Sequence, residues 1–139
     1  MSYSPYLLQG QKALVTGGSS GIGAGVVRQL AKAGATVAIN YHSHGEAAEK
    51  IVEDIKSAHG EAIAIQADVS QEADVKAMFS KVLNEFGTID ILVNNSGIQK
   101  DSPFLDMSLK DWNLVLSVNL TGQFLCAREA AKEFWLSRI

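Results

Sequence analysis

The stretch Thr16–Gly23, "TGGSSGIG", begins within a β-rich run, "KALVTG" from Lys12, and leads into a helical stripe of Ile22, Val26, Val27, Leu30 and Ala31. Gly34 ends that stripe, as a helix stop signal should. The context of strand, glycine-rich loop and helix decides the fold. Gly17 is free to take the unusual dihedrals of a tight turn. Gly21 and Gly23 leave bare backbone, so a ligand can approach the chain and the helix can sit close on the sheet. A helix starting here presents unpaired N–H groups and a partial positive charge, and Ser19 and Ser20 add hydroxyl donors. Those are the requirements for holding a pyrophosphate.

The same alternation continues along the chain. Strand-like runs are "TVAIN" from Thr36, "EAIAIQAD" from Glu61 and "IDILVNN" from Ile89, each nearly continuous in apolar residues. A second helical pattern spans about Gly45–His59, with Ala47, Ala48, Ile51, Val52 and Ile55 facing inward. A third spans about Gln71–Phe86, with Val75, Met78, Phe79, Val82 and Leu83 inward and Ser70 as its expected N-cap. A fourth begins near Ser108, where Ser108 and Asp111 read as a capping box and Trp112, Val115 and Leu116 share one side. Strands alternating with helices at this spacing form right-handed βαβ units, hence a doubly wound, Rossmann-type α/β fold with a parallel sheet. In such a sheet the ligand crevice lies at the carboxyl ends of the strands.

Composition narrows the function classes. Hydrophobic residues make up 47% and charged residues 19%, which predicts a folded globular domain. The net charge of -3 offers no basic field for nucleic acid or an anionic membrane. Runs such as "IDILV" are too short to span a bilayer, and "MSYSPYLLQGQK" has no basic start followed by an apolar segment. The single cysteine, Cys126, cannot form an internal disulfide and reads as a small core residue. These features predict a cytoplasmic protein. No His/Cys/carboxylate set has metal-ligand spacing, and His42, His44 and His59 read as surface residues.

The spacing T-G-x-x-x-G-x-G departs from the usual dinucleotide G-x-G-x-x-G and resembles that of the short-chain dehydrogenase/reductase family. Three further stretches carry the resemblance in the same order. "ADVS" (Ala67–Ser70) ends the third strand run, and the resemblance implies that Asp68 and Val69 contact an adenine. "NNSG" (Asn94–Gly97) is similar to the family's N-N-A-G, with Ser96 in place of Ala, and implies a nicotinamide-ribose site at Asn95, Ser96 and Gly97. "SVNLTG" (Ser117–Gly122) is similar to the helical segment carrying a structural and proton-relay asparagine, here Asn119. On the residues alone, Asp68 also suits an Asx-turn, and Asn94 and Asn95 could satisfy strand-end backbone. Asn119, polar in an apolar stripe, demands a partner of either kind.

The resemblance implies hydride transfer between a nicotinamide and an alcohol or carbonyl carbon. An acid about twenty residues past the glycine motif would select NAD. Here Asn40, Tyr41 and His42 occupy that region, the first acid is Glu46, and no Arg stands ready for a 2′-phosphate. The reading leans to NADP or dual use, with NAD alone as the alternative. Details such as "INYHSHGEA" look most like the glucose 1-dehydrogenase branch, and 3-oxoacyl-carrier-protein reductase is the runner-up.

The family's proton transfer uses a Ser and a Tyr-x-x-x-Lys, in which the Lys lowers a phenol pKa from about 10. The tyrosines are Tyr3, Tyr6 and Tyr41, followed four residues later by Leu7, Gly10 and Gly45. Residues 1–139 therefore read as one dinucleotide-binding domain, incomplete at its C-terminal end. Four strands in the order 3-2-1-4, of the family's seven, are expected, and no turnover by this chain alone. The reading that competes with an enzyme is a non-catalytic nucleotide-binding fragment. The last stretch, "CAREAAKEFWLSRI", reads as the middle of a helix. The resemblance implies a helix that helps build the interface of a homo-oligomer. Its Phe124, Ala127, Ala131, Phe134 and Trp135 are expected to lack a covering partner.

Overall fold

The computed structural model describes residues 4–138. All four predicted strands form: β1 (Lys12–Val15), β2 (Thr36–Tyr41), β3 (Ala62–Gln66) and β4 (Ile91–Val93). They pair in parallel in the order β3-β2-β1-β4, with Val15 aligned to Ile39 on one side and to Val93 on the other. Helices α1 (Gly21–Lys32), α2 (Gly45–Ser57) and α3 (Glu72–Phe86) fill the crossovers. A 3₁₀ turn (Phe104–Asp106) precedes α4 (Leu109–Leu116), which continues through a π turn (Ser117–Thr121) into α5 (Gly122–Leu136). None of these helices, among the described residues, is long and apolar enough to cross a membrane.

Alternate strand residues point to opposite faces, and each face builds a core. Ala13, Val15, Val37 and Ile39 pack with Val27 of α1 and Ala48, Ile51, Val52 and Ile55 of α2. On the other face Leu14, Ala38 and Ile65 pack with Val75, Met78, Phe79 and Val82 of α3 and with Leu125, Cys126 and Ala130 of α5. The strands are largely apolar because both faces are covered.

Several details differ from the sequence reading. Ile22 is 82% exposed, because the first turn of α1 stands beyond the strand ends and has no sheet beneath it. Ala47 is exposed for the same reason at the start of α2. Gln71, not Ser70, occupies the N-cap position of α3, since the Ser70 hydroxyl donates to Asp68 Oδ1 at 2.7 Å. Ser108 does cap α4, accepting from Asp111 N at 3.0 Å, but that helix buries no residue and leaves Trp112 and Leu116 exposed. His44 and His59 are exposed, as expected, and both take left-handed backbone, His44 at the N-cap of α2 and His59 just past its end. On α5, Phe124, Ala127, Ala131 and Trp135 are exposed, whereas Phe134 packs against the core.

Candidate functional site

The carboxyl ends of all four strands bring the predicted residues to one edge of the sheet. β1 runs into the glycine loop, β2 ends at Asn40–Tyr41, β3 is followed by Asp68 and Val69, and β4 by Asn94–Gly97.

Thr16 organises this edge. It is 1% exposed, and its Oγ1 accepts from the N–H groups of both Asn95 and Ser96 at 3.0 Å. Asn95 answers with its own amide, donating from Nδ2 to Thr16 O and Gly17 O at 3.0 Å each. The loops after β1 and β4 are thereby joined. Sequence reading took Thr16 only as the start of a motif; a hydroxyl at the end of a buried strand was the available signal, because it must find a partner.

The glycines act differently from one another. Gly17 (φ +60°) and Gly21 (φ +53°) hold left-handed backbone. A Cβ at Gly21 would meet nothing within 4 Å, so this backbone is open to a ligand. A Cβ at Gly23 would collide with Gly17 O and Asn95 Nδ2, so only glycine lets α1 start this close to the loop. The Ser20 side chain makes no capping bond, and among the described residues no acceptor meets the N–H of Gly21, Ile22 or Gly23. Free donors at a helix start with bare backbone beside them fit a pyrophosphate.

Two predicted residues prove structural in geometry. Asn40 is 1% exposed; its Oδ1 accepts from Gly17 N at 3.2 Å and its Nδ2 donates to Ala67 O at 3.1 Å. Its amide therefore faces protein and has no group left for a ligand. The Val69 side chain is also buried, in close contact with the start of α5 at Gly122, so any ligand contact there falls to its backbone. Asp68 forms the Asx-turn, accepting from Ser70 N at 2.9 Å, and stays partly exposed with Oδ2 3.8 Å from His42 Nε2. Asn119 lies in the π turn and grips both backbone groups of one residue: Oδ1 accepts from Ile98 N at 2.8 Å and Nδ2 donates to Ile98 O at 2.9 Å. That clamp holds the strand-end segment beside Gly97, whose added Cβ would sit 3.5 Å from Asn119 Oδ1. A π turn at such a place re-aims one side chain inward. Asn94 donates to Gln123 O at 3.3 Å.

A cleft of about 630 Å³ opens beside the loop, lined by Ser19, Ser20, His44, Gly45, Glu46 and Ala47. The last four of these were not among the predicted site residues, because only the tertiary fold sets the start of α2 opposite the glycine loop. Among the described residues no three His, Cys, Asp or Glu side chains cluster as a metal site. Cys126 is fully buried, and burial pushes its thiol up to about 11. Tyr6 lines a second cleft with Lys12 and Glu61, at the opposite ends of the strands, and Tyr3 lies outside the described residues.

This fold and edge define a family. The sequence profile of the short chain dehydrogenases matches residues 11–138, and the chain belongs to that family. It is 42% identical over 128 residues to the 3-oxoacyl-[acyl-carrier-protein] reductase FabG of Staphylococcus aureus, covering 92% of this chain and 52% of that protein. A 3-oxoacyl-[acyl-carrier-protein] reductase of Synechocystis is 44% identical over 125 residues, covering 90% and 51%. Among solved structures, a short chain dehydrogenase from Burkholderia cenocepacia in complex with NADP superposes with a TM-score of 0.88 at 42% identity, covering 91% of this chain and 52% of that one. A short-chain dehydrogenase/reductase from Serratia marcescens gives 0.89 at 37% identity, with the same coverage. The chain spans about half the length of the curated relatives it matches.

Proposed function

We propose that this chain is the dinucleotide-binding half of an NADP-using oxidoreductase acting on a carbonyl or secondary alcohol. The observation that carries this reading is the glycine loop: free N–H groups of Gly21, Ile22 and Gly23, open backbone at Gly21, and Gly23 held against Gly17. Ser19, Ser20 and these residues would hold the pyrophosphate. Tyr41 and His42 would face the adenosine ribose, Asp68 and the Val69 backbone the adenine, and Asn95, Ser96 and Gly97 the nicotinamide ribose. Asn119 holds Ile98, and so the nicotinamide end, in place. The cofactor, when bound, supplies or accepts the hydride. Within residues 1–139 no Tyr stands four before a Lys, so no residue here is assigned the proton transfer.

NADP is favoured over NAD because β2 ends in Asn40 and Tyr41, with no carboxylate to repel a 2′-phosphate. The cleft beside it offers the hydroxyls of Ser19 and Ser20, His44 and the start of α2, with Glu46 as the one opposing charge. The Burkholderia relative's complex with NADP supports the same choice. For the substrate, the names of the Staphylococcus and Synechocystis relatives favour a 3-oxoacyl thioester on a carrier protein over the glucose expected from sequence detail. A reducing compartment, the cytoplasm, suits the free, buried Cys126.

Calorimetric titration of the pure chain should give binding of both dinucleotides with NADPH tighter than NADH. Absence of heat with either sinks the reading; NADH binding more tightly reverses the cofactor assignment. A protein carrying this sequence together with a complete catalytic half should reduce a 3-oxoacyl thioester in preference to oxidising glucose, and the opposite ratio restores the sugar branch.

A further inference from the structure

Asn40 is a polar side chain inside a strand whose neighbours Val37, Ala38 and Ile39 are all fully buried. Burying an amide is unfavourable unless its hydrogen bonds are met. Here they are met by two loops far apart in sequence. Oδ1 takes the N–H of Gly17, beyond the last β1–β2 pair at Val15 and Ile39, and the backbone carbonyl of Asn40 takes Gly18 N at 2.9 Å. Nδ2 donates to Ala67 O, just past β3 and next to Asp68, with Ile65 O farther off at 3.4 Å. A leucine of similar size would fill the space but leave the Gly17 N–H and the Ala67 carbonyl unpaired.

We infer that Asn40 is a positioning residue. It fixes the spacing between the glycine loop and the segment after β3, so that the two ends of one ligand meet both at once. The inference rests on the dinucleotide reading above and adds a residue that touches no part of the ligand. Its signature is a coupling: losing the bridge should weaken a ligand spanning both segments more than one seated at the adenine end alone.

The test uses the whole 139-residue chain. Asn40→Ala should weaken NADPH about tenfold, the scale of one buried hydrogen bond, and adenosine, which carries no phosphate for the glycine loop, by less than about threefold. Amide exchange without ligand should show Gly17 N–H protected in the wild type and released in the variant. Equal loss for both ligands, or none for NADPH, overturns the proposal. So does a Gly17 amide that exchanges like an exposed one in the wild type. If the wild type binds neither ligand, the functional reading falls while the exchange data still decide the role of Asn40. If Asn40→Ala does not fold, Asn40→Asp keeps an oxygen for Gly17 N and removes the donor to Ala67 O. It should then leave Gly17 protected yet weaken NADPH alone, and unchanged NADPH affinity counts against the bridge.

Discussion

Gly23 and Gly25 lie two residues apart in α1, and alanine at each should change stability in opposite directions. At Gly23 the new Cβ would collide with Gly17 O and Asn95 Nδ2. Neither can yield freely, because Asn95 Nδ2 is bonded to both Thr16 O and Gly17 O. Nor can α1 slide away easily, since its Val27 is fully buried on the sheet. Overpacking of this kind costs about 1–3 kcal/mol. Pulling Asn95 off the buried Thr16 and half-buried Gly17 carbonyls adds roughly 1–3 kcal/mol. Gly23→Ala should therefore lose about 2–6 kcal/mol, a large share of the roughly 5–15 kcal/mol of a typical domain. Gly25 is exposed, and a Cβ there would meet nothing within 4 Å. Gly25→Ala gains about 0.5–1 kcal/mol from helix propensity and a less flexible unfolded chain. In urea titrations, at a slope of about 2 kcal/mol/M, Gly23→Ala should lower the midpoint by about 1–3 M and Gly25→Ala raise it by a few tenths. A Gly23→Ala midpoint within about 0.2 M of wild type, or a lower one for Gly25→Ala, would refute the packing argument.

Cys126, with its thiol pushed up to about 11, holds about one thiolate in a thousand at pH 8. A thiol reagent should label the folded chain at least about a hundredfold more slowly than the urea-unfolded chain, and comparable rates would show that the core around it opens readily. Glu72 is held below its ordinary 4.5 by Lys76 and by Arg128, whose guanidinium lies 2.6 Å away on α5. That stabilisation is complete above the unfolded value and is lost as pH falls through the lower folded one. Arg128→Gln should thus flatten the loss of stability on acidification, and added salt should shrink the difference because the group is exposed. Helix α2 ends in a Schellman motif, Gly60 N to Ile55 O at 2.9 Å and His59 N to Lys56 O at 3.0 Å, with His59 at φ +66°. At the matching place after α1 stands Gly34. Relief of left-handed strain, less glycine's entropy, predicts that His59→Gly raises stability by about 0.5–1 kcal/mol, read as a higher thermal midpoint.

Much of the fold was legible because its signals are local. Three strands fall within the apolar runs from Lys12, Glu61 and Ile89, β2 runs one residue past "TVAIN" to Tyr41, and the loop Thr16–Gly23 lies where the first strand turns into the first helix, as read. The errors of burial at the helix starts share one cause. Periodicity places Ile22 and Val27 on the same stripe and Ala47 beside Ala48, but it does not show where the sheet beneath a helix stops. Ser70 had the chemistry of a cap, and only the Asp68 carboxylate beside it took its hydroxyl away.

By itself the sequence determined the strand–helix alternation, the family and the residues gathered at the strand ends. Each of these depends on neighbours a few positions away. What only the tertiary structure decided is which of those residues are enclosed by protein and which stay open. Asn40 and Tyr41 are adjacent in sequence at the end of one strand. Asn40 is enclosed by Gly17 on one side and Ala67 on the other, while Tyr41 is only partly buried. That difference arises from segments 23 and 27 residues away, brought together by burial of the sheet and not by any local preference.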